Sequence, residues 1–346
     1  MSAAGTSGST TLELRRPDDW HLHLRDGPML EAVVGATARD FGRALVMPNL
    51  VPPVTTGAQA AGYRDRIVAA GFARPLMTLY LTETTDAADV VAAHGAGTIA
   101  AVKLYPAGAT TNSASGVRDV EAVRPVLAAM EEAGVPLCVH GEVVDAQVDI
   151  FDREAAFLDR VLAPLMDRHP ALRVTLEHVT TRAAVAFVRA HDGMGATITV
   201  QHLMMDRNDL LAGGLRPHNY CLPVLKRRAD REALREAAAS GDPRFFLGTD
   251  SAPHPTHAKE ASCCAAGCFT APIALPAYAT VFEEMGALGR LEGFASLHGP
   301  AHYGLPPNAE TVTLRRGPPE VRAVADPPVT VWTPPVPLAW HIEETP

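Results

Sequence analysis

The stretch Asp18-Asp19-Trp20-His21-Leu22-His23-Leu24-Arg25-Asp26-Gly27 decides how the rest of the chain is read. Side chains two apart in a strand point to the same face, so His21 and His23 look one way and Arg25 follows beyond the strand end. Two converging neutral imidazoles suit a divalent metal such as zinc. A His-x-His pair also arises by chance, as two unremarkable histidines near a terminus. The remaining chain must supply further ligands if the metal reading is to stand.

Outward from that stretch, short apolar runs alternate with helical patterns. The runs are Trp20–His23, Ala44–Met47, Met77–Tyr80, Ala101–Tyr105, Leu137–His140, Val174–His178, Thr197–Val200 and Phe245–Leu247. Helical stretches such as Thr56–Ala70, Val117–Ala133, Asp152–Arg168, Thr181–Ala190 and Asp230–Ser240 lie between them, several closed by Gly71, Gly134 or Gly241. This rhythm predicts βα units around a parallel sheet, and eight such runs favour a closed (β/α)8 TIM barrel over an open sheet. Trailing ends of the runs carry His21, His23, Asn49, Lys103, His140, His178 and Asp250. In such a barrel these ends share the C-terminal rim, where active sites form.

Composition sets the outer bounds. The chain has 346 residues, 47% of them hydrophobic, which is ample for one large core. Thirty basic against 39 acidic residues leave a net charge of −9, so nucleic acid is not an expected partner. Residues 1–10 read as a frayed polar tail, without the charged and apolar regions of a signal peptide. No apolar run is long enough for a membrane span. Residues 11–346 read as a single barrel domain, with 311–346 a packed C-terminal extension. An odd count of five cysteines argues against a disulfide framework and for a reducing cytoplasm. Cys263, Cys264 and Cys268 lack the second knuckle of a structural zinc site and read better as partly buried thiols in a loop.

Four imidazoles and a carboxylate exceed what one catalytic zinc needs, which suggests two metals close together. Lys103 lies in the otherwise apolar run Ile99–Tyr105. A buried lysine loses its proton readily, and the neutral amine can take up carbon dioxide to give a bridging carbamate. It could equally snorkel to the rim or pair with a carboxylate.

The motifs His21-Leu-His23-Leu-Arg25-Asp-Gly27, Met47-Pro-Asn49, Lys103-Leu-Tyr-Pro106, Ala109-Thr-Thr-Asn112, His140-Gly-Glu142, Glu177-His178, Gln201-His-Leu203, Tyr220-Cys-Leu-Pro223 and Gly248-Thr-Asp-Ser-Ala-Pro-His254 resemble the dihydroorotases of the amidohydrolase superfamily, in the bacterial single-function form. The resemblance runs from about Leu12 to Leu305. It implies a binuclear zinc site. One metal would be held by His21, His23, Lys103 and Asp250, the other by Lys103, His140 and His178. N6-carboxylated Lys103 and a hydroxide would bridge them. It further implies the reversible conversion of N-carbamoyl-L-aspartate to L-dihydroorotate in de novo pyrimidine (UMP) synthesis, with the hydroxide attacking the ring carbonyl and Asp250 as general base and acid. Arg25, Asn49 and His254 are implied as carboxylate ligands, the last with a possible added charge. Backbone groups of Leu222 and Ala266 are implied to contact the ring. Pro106 to Gly116 reads as a lid, and the resemblance assigns Thr110 and Thr111 to substrate. A cytoplasmic homodimer is implied as well.

Two departures from the family stand out. Gly108 replaces a bulkier polar residue, and Val200 replaces proline. Other readings are a hydantoinase or allantoinase, against which the acid-binding trio argues, and a non-catalytic scaffold, against which the full ligand set argues. His202, His218, His257 and His298 have no expected metal role.

Overall fold

The computed structural model describes residues 10–321 and 323–343. Most of the expected tail therefore lies outside the described residues. Eight parallel strands run in the order of the chain: β2 (Asp19–Leu22), β3 (Ala44–Val46), β4 (Pro75–Tyr80), β5 (Ala101–Leu104), β6 (Leu137–His140), β7 (Val174–Glu177), β8 (Met194–Ile198) and β9 (Phe245–Leu247). A parallel bridge between Leu22 and Ser251, with the Asp250 amide donating to the His21 carbonyl at 2.8 Å, joins the last strand to the first. Helices fill the connections, so the architecture is the expected (β/α)8 barrel. An added antiparallel sheet sets β10 (Thr311–Arg316) between β1 (Thr11–Arg15) and the last strand, Trp340–Ile342. Leu314, Trp332 and Trp340 bury this segment's apolar side.

Several boundaries differ from the sequence reading, each for a local reason. The strand expected at Thr197–Val200 is Met194–Ile198, because Thr199 caps a short helix from Val200 by accepting from the His202 amide. Gly195 sits inside this strand because a Cβ there would lie 2.7 Å from Phe246 and 2.8 Å from His302. The strand expected from Met77 begins at Pro75, an allowed first position. His178 leaves its strand with φ 42° while its amide donates to Thr197 Oγ1 at 2.7 Å. Helices Gly27–Asp40 and Ala87–Gly95 were not read from the sequence; Asp26 and Asp86 cap them. Helix Asp152–Arg168 was expected as one piece and carries a wide turn at Leu158–Leu162.

Inside the barrel, inward side chains lie in layers. Lys103, Cys138 and Thr175 are register partners across β5, β6 and β7. Below them, Trp20 stacks on Tyr303 at 4.4 Å with planes 4° apart, and Phe246 meets both edge-on. Tyr303 ends the helix His298–Tyr303, which packs under the N-terminal strand ends. The His298 ring lies 3.0 Å from the Phe245 carbonyl. This plug leaves the opposite rim as the open end.

Candidate active site at the C-terminal rim

The strand ends deliver their polar residues to one point. His21 Nε2 and His23 Nε2 are 3.4 Å apart, and each lies within 3.3 Å of Asp250 Oδ1. The His178 ring is 4.9 Å from that of His21 and 4.7 Å from that of His140. All five residues are buried. Backbone strain collects here: Arg25, His178 and Asp250 take φ of 61°, 42° and 45°. Non-glycine residues adopt this left-handed region at a cost of about 1–3 kcal/mol, which the surrounding structure must offset. Those turns swing the side chains back over the barrel mouth.

Groups behind the imidazoles fix their orientation. His23 Nδ1 donates to Asn49 Oδ1 at 2.8 Å, and His140 Nε2 donates to Glu142 Oε2 at 2.8 Å. His21 Nδ1 lies 3.0 Å from Glu177 Oε1. In each case the second ring nitrogen is left for the cavity, as carboxylate–histidine–metal chains require. Burial lowers the pKa of all four histidines, to about 4 for His23, so they are neutral lone-pair donors near pH 7. Burial alone would raise the Asp250 carboxyl, but His21 and His23 hold it well below the ordinary range. Converging imidazole lone pairs and an ionised carboxylate suit a divalent cation. His21, His23 and Asp250 form one group whose ligand atoms lie within 4.8 Å of one another; His21, Glu177 and His178 form the other. These donors suit a divalent metal, as the sequence expects, but His140 and Lys103, expected as ligands of a second metal, belong to neither group.

Lys103 is fully buried, and its ammonium meets the Glu177 carboxylate. Snorkelling to the rim is excluded. Burial lowers its pKa to about 7, while the paired Glu177 carboxylate, an alternative the sequence left open, favours the charged form.

The mouth closes on a cavity of about 20 Å³. Its walls include Arg25, Asn49, Thr110, Thr111, Leu222 and Ala266, all expected from sequence. The loop that follows β5 lies across it: Thr111 Oγ1 donates to the Ala266 carbonyl at 3.3 Å, and Asn112 Nδ2 donates to the Asn49 carbonyl at 3.0 Å. Two expectations change in detail. Asn49, implied as a carboxylate ligand, is partly committed within the protein, because Nδ2 donates to the Thr111 carbonyl at 3.0 Å and Oδ1 accepts from His23. His254 adds no charge: burial and Arg25 lower its pKa to about 3. Its Nε2 lies 3.1 Å from Arg25 Nη2, while Arg25 Nε donates to the Pro253 carbonyl. Arg25 is thus the cation of this corner.

Glu142 and Glu177 were quoted in motifs but given no role. Burial would raise the Glu142 carboxyl; His140 and the buried Lys226, 3.9 Å away, outweigh it and keep it ionised. The available signals were the His-x-Glu spacing and an acid ending the apolar run Val174-Thr-Leu-Glu177. Of the histidines with no expected metal role, His257 is exposed and His298 contacts the Phe245 carbonyl. Buried His202 lies 2.6 Å from Thr199 Oγ1 and 3.0 Å from the Pro223 carbonyl, and His218 pairs with Glu260. The five cysteines are free, with Cys263 exposed and Cys268 buried. None joins a metal-ligand group among the described residues.

Barrel and site together define a metal-dependent hydrolase of the amidohydrolase class. The amidohydrolase family model matches residues 19–314, and the chain belongs to that family. Within it, the chain is 65% identical to the dihydroorotase of Ruegeria pomeroyi, covering 96% of this chain and 99% of the relative. The dihydroorotase of Campylobacter jejuni superposes with a TM-score of 0.86 at 36% identity, over 97% of this chain and 98% of the other. That of Saccharomyces cerevisiae, solved with 5-fluoroorotic acid, gives 0.89 at 32%, over 97% and 99%. The chain is accordingly a cyclic amidohydrolase of the dihydroorotase group.

Proposed function

We propose that the chain interconverts N-carbamoyl-L-aspartate and L-dihydroorotate, using two zinc ions and Asp250 as the proton carrier. The convergence of His21, His23, His140, His178 and Asp250 on one buried mouth carries this reading. His21, His23 and Asp250 would hold one metal and His140 and His178 the other. Lys103, carboxylated on Nζ, would bridge them. When bound, the metals supply Lewis acidity towards a carbonyl and lower the pKa of water towards neutrality.

The chain's own residues do the rest. Asp250 stays ionised, so it can accept the proton of the attacking water. It returns that proton to the ring nitrogen as the C–N bond breaks. In the reverse direction the same carboxylate deprotonates the carbamoyl nitrogen. Arg25 offers a planar fork to the substrate carboxylate. Asn49 holds His23 on one side and the loop on the other. His254, neutral and held between Arg25 and the Ala266 carbonyl, completes the corner. Leu222 and Ala266 present backbone groups to the ring. Thr110 and Thr111 cover it, and their loop excludes water when closed.

Residues 11–346 act as one domain, with 311–346 fastened through β10. We take the active form to be a cytoplasmic homodimer. Five free cysteines support a reducing compartment, and no helix among the described residues is long and apolar enough to cross a membrane.

Purified protein is expected to turn over L-dihydroorotate with two metals per chain, and to lose turnover in Lys103→Ala. Turnover of 5-substituted hydantoins with none of dihydroorotate would replace the substrate reading with the hydantoinase one. Full activity of Lys103→Ala at unchanged metal content would remove the bridging role.

A further inference from the structure

Tyr105 carries a buried polar atom that nothing so far uses. It lies two residues beyond Lys103 in an extended segment, so both face the barrel interior. Its ring packs at 5.0 Å on Tyr80, lies 6.3 Å from the His140 ring, and has Lys103 Nζ 4.9 Å from its centroid. The residue is 1% exposed and lines the mouth cavity together with Asp250 and His140. Its hydroxyl has no hydrogen-bond partner among the described residues. The neighbouring Tyr80 hydroxyl, by contrast, lies 3.4 Å from the Asn112 carbonyl, to which it donates. Tyr105 is also firmly placed. Its carbonyl accepts from the Val117 amide at 2.8 Å, and a Cβ on Gly116 would come within 2.3 Å of that oxygen.

A buried hydroxyl left without a partner costs about 1–3 kcal/mol. In a wall facing substrate, that cost is relieved when a ligand oxygen arrives. We propose that Tyr105 is a further catalytic residue, whose hydroxyl donates to the oxygen of the amide carbonyl under attack. The position selects that oxygen over the substrate carboxylate. The carboxylate corner has its own donors in Arg25 and Asn49. Tyr105 packs against Lys103 and His140, beside the groups that would hold the metals, where the carbonyl must lie to react. Negative charge grows on this oxygen only as the tetrahedral intermediate forms. A fixed donor aimed there therefore stabilises the transition state more than the bound substrate.

The inference rests on the active-site reading above, so Tyr105→Phe is to be assayed beside Asp250→Ala, in both reaction directions. Removal of one such donor is expected to lower kcat about 10- to 100-fold. KM should stay within twofold, with metal per chain and melting temperature unchanged. Three results would each overturn the role: kcat within twofold of the parent, a rise in KM alone, or loss of activity only together with metal or fold. If Asp250→Ala also keeps its activity, the fault lies with the whole site reading rather than with Tyr105.

Discussion

The two ends of the barrel are built from the same strands and do opposite things. At the C-terminal mouth, inward positions hold imidazoles, carboxylates, a lysine and left-handed backbone turns. At the N-terminal base, Trp20, Phe246 and Tyr303 fill the space with stacked rings. A short neutral chain runs through that base: Cys138 Sγ lies 3.3 Å from Tyr303 Oη, which is 2.8 Å from Thr175 Oγ1, itself 3.0 Å from His302 Nε2. Trp20 and His21 are adjacent in sequence yet belong to different ends. The base is close-packed and mostly apolar, with the Trp20 indole N–H left without a hydrogen-bond partner among the described residues, so it can stabilise. The mouth concentrates desolvated polar groups that are costly until a metal or substrate meets them. Stability is stored at one end and spent on chemistry at the other.

If that division holds, changes at the mouth remove activity and spare the fold, and changes at the base do the reverse. The largest effect is expected for Asp250→Ala. Turnover should fall by at least about 10²–10⁴-fold, while the far-ultraviolet circular dichroism spectrum is retained. Residual kcat/KM within tenfold of the parent would break the contrast. At the base, Gly299→Ala would place a Cβ 1.9 Å from Trp20 Nε1. Overpacking of this kind costs about 1–3 kcal/mol or more, visible in the denaturant midpoint. Activity per folded molecule should stay within about threefold, and a specific loss of kcat would show that the plug reaches the chemistry.

Glu142→Gln tests the layer behind the mouth. Metal affinity should drop about 10–100-fold in chelator competition, with the unfolding midpoint of the loaded protein little changed. Unaltered affinity would reduce Glu142 to a packing residue. The smallest effect is a pH dependence at the base. Burial and Arg173 lower the His302 pKa to about 3. The unfolded chain therefore binds the extra proton below its own value near 6.5. Stability from this group is present above pH 6.5 and lost as pH falls towards 3. His302→Gln should flatten the loss between pH 7.5 and 5 by no more than about 2 kcal/mol. An unchanged slope would assign that loss to the mouth histidines instead.

Much of this was legible in the chain. The period of the apolar runs located all eight strands, and the polar residues at their trailing ends meet at one mouth, because strand direction alone sends them to one rim. Details of partnership were not legible. Asn49 lines the mouth as expected, but that it also ties His23 to the loop was not legible, since that depends on which atom lies within 3 Å once the barrel closes. His254 was allowed a charge, yet burial beside Arg25 forbids it. Glu177 carried no role because its link to Lys103 and His21 spans three strands.

The sequence by itself therefore determined the architecture, the polar residue types at the strand ends and the side of the barrel they share, because these follow from local period and chain direction. Only the tertiary structure decided the rest. It neutralised the histidines by burial, bent Arg25, His178 and Asp250 into left-handed backbone, and left the Tyr105 hydroxyl facing the cavity without a partner. These properties depend on desolvation and on contacts between residues far apart in the chain, which no local pattern encodes.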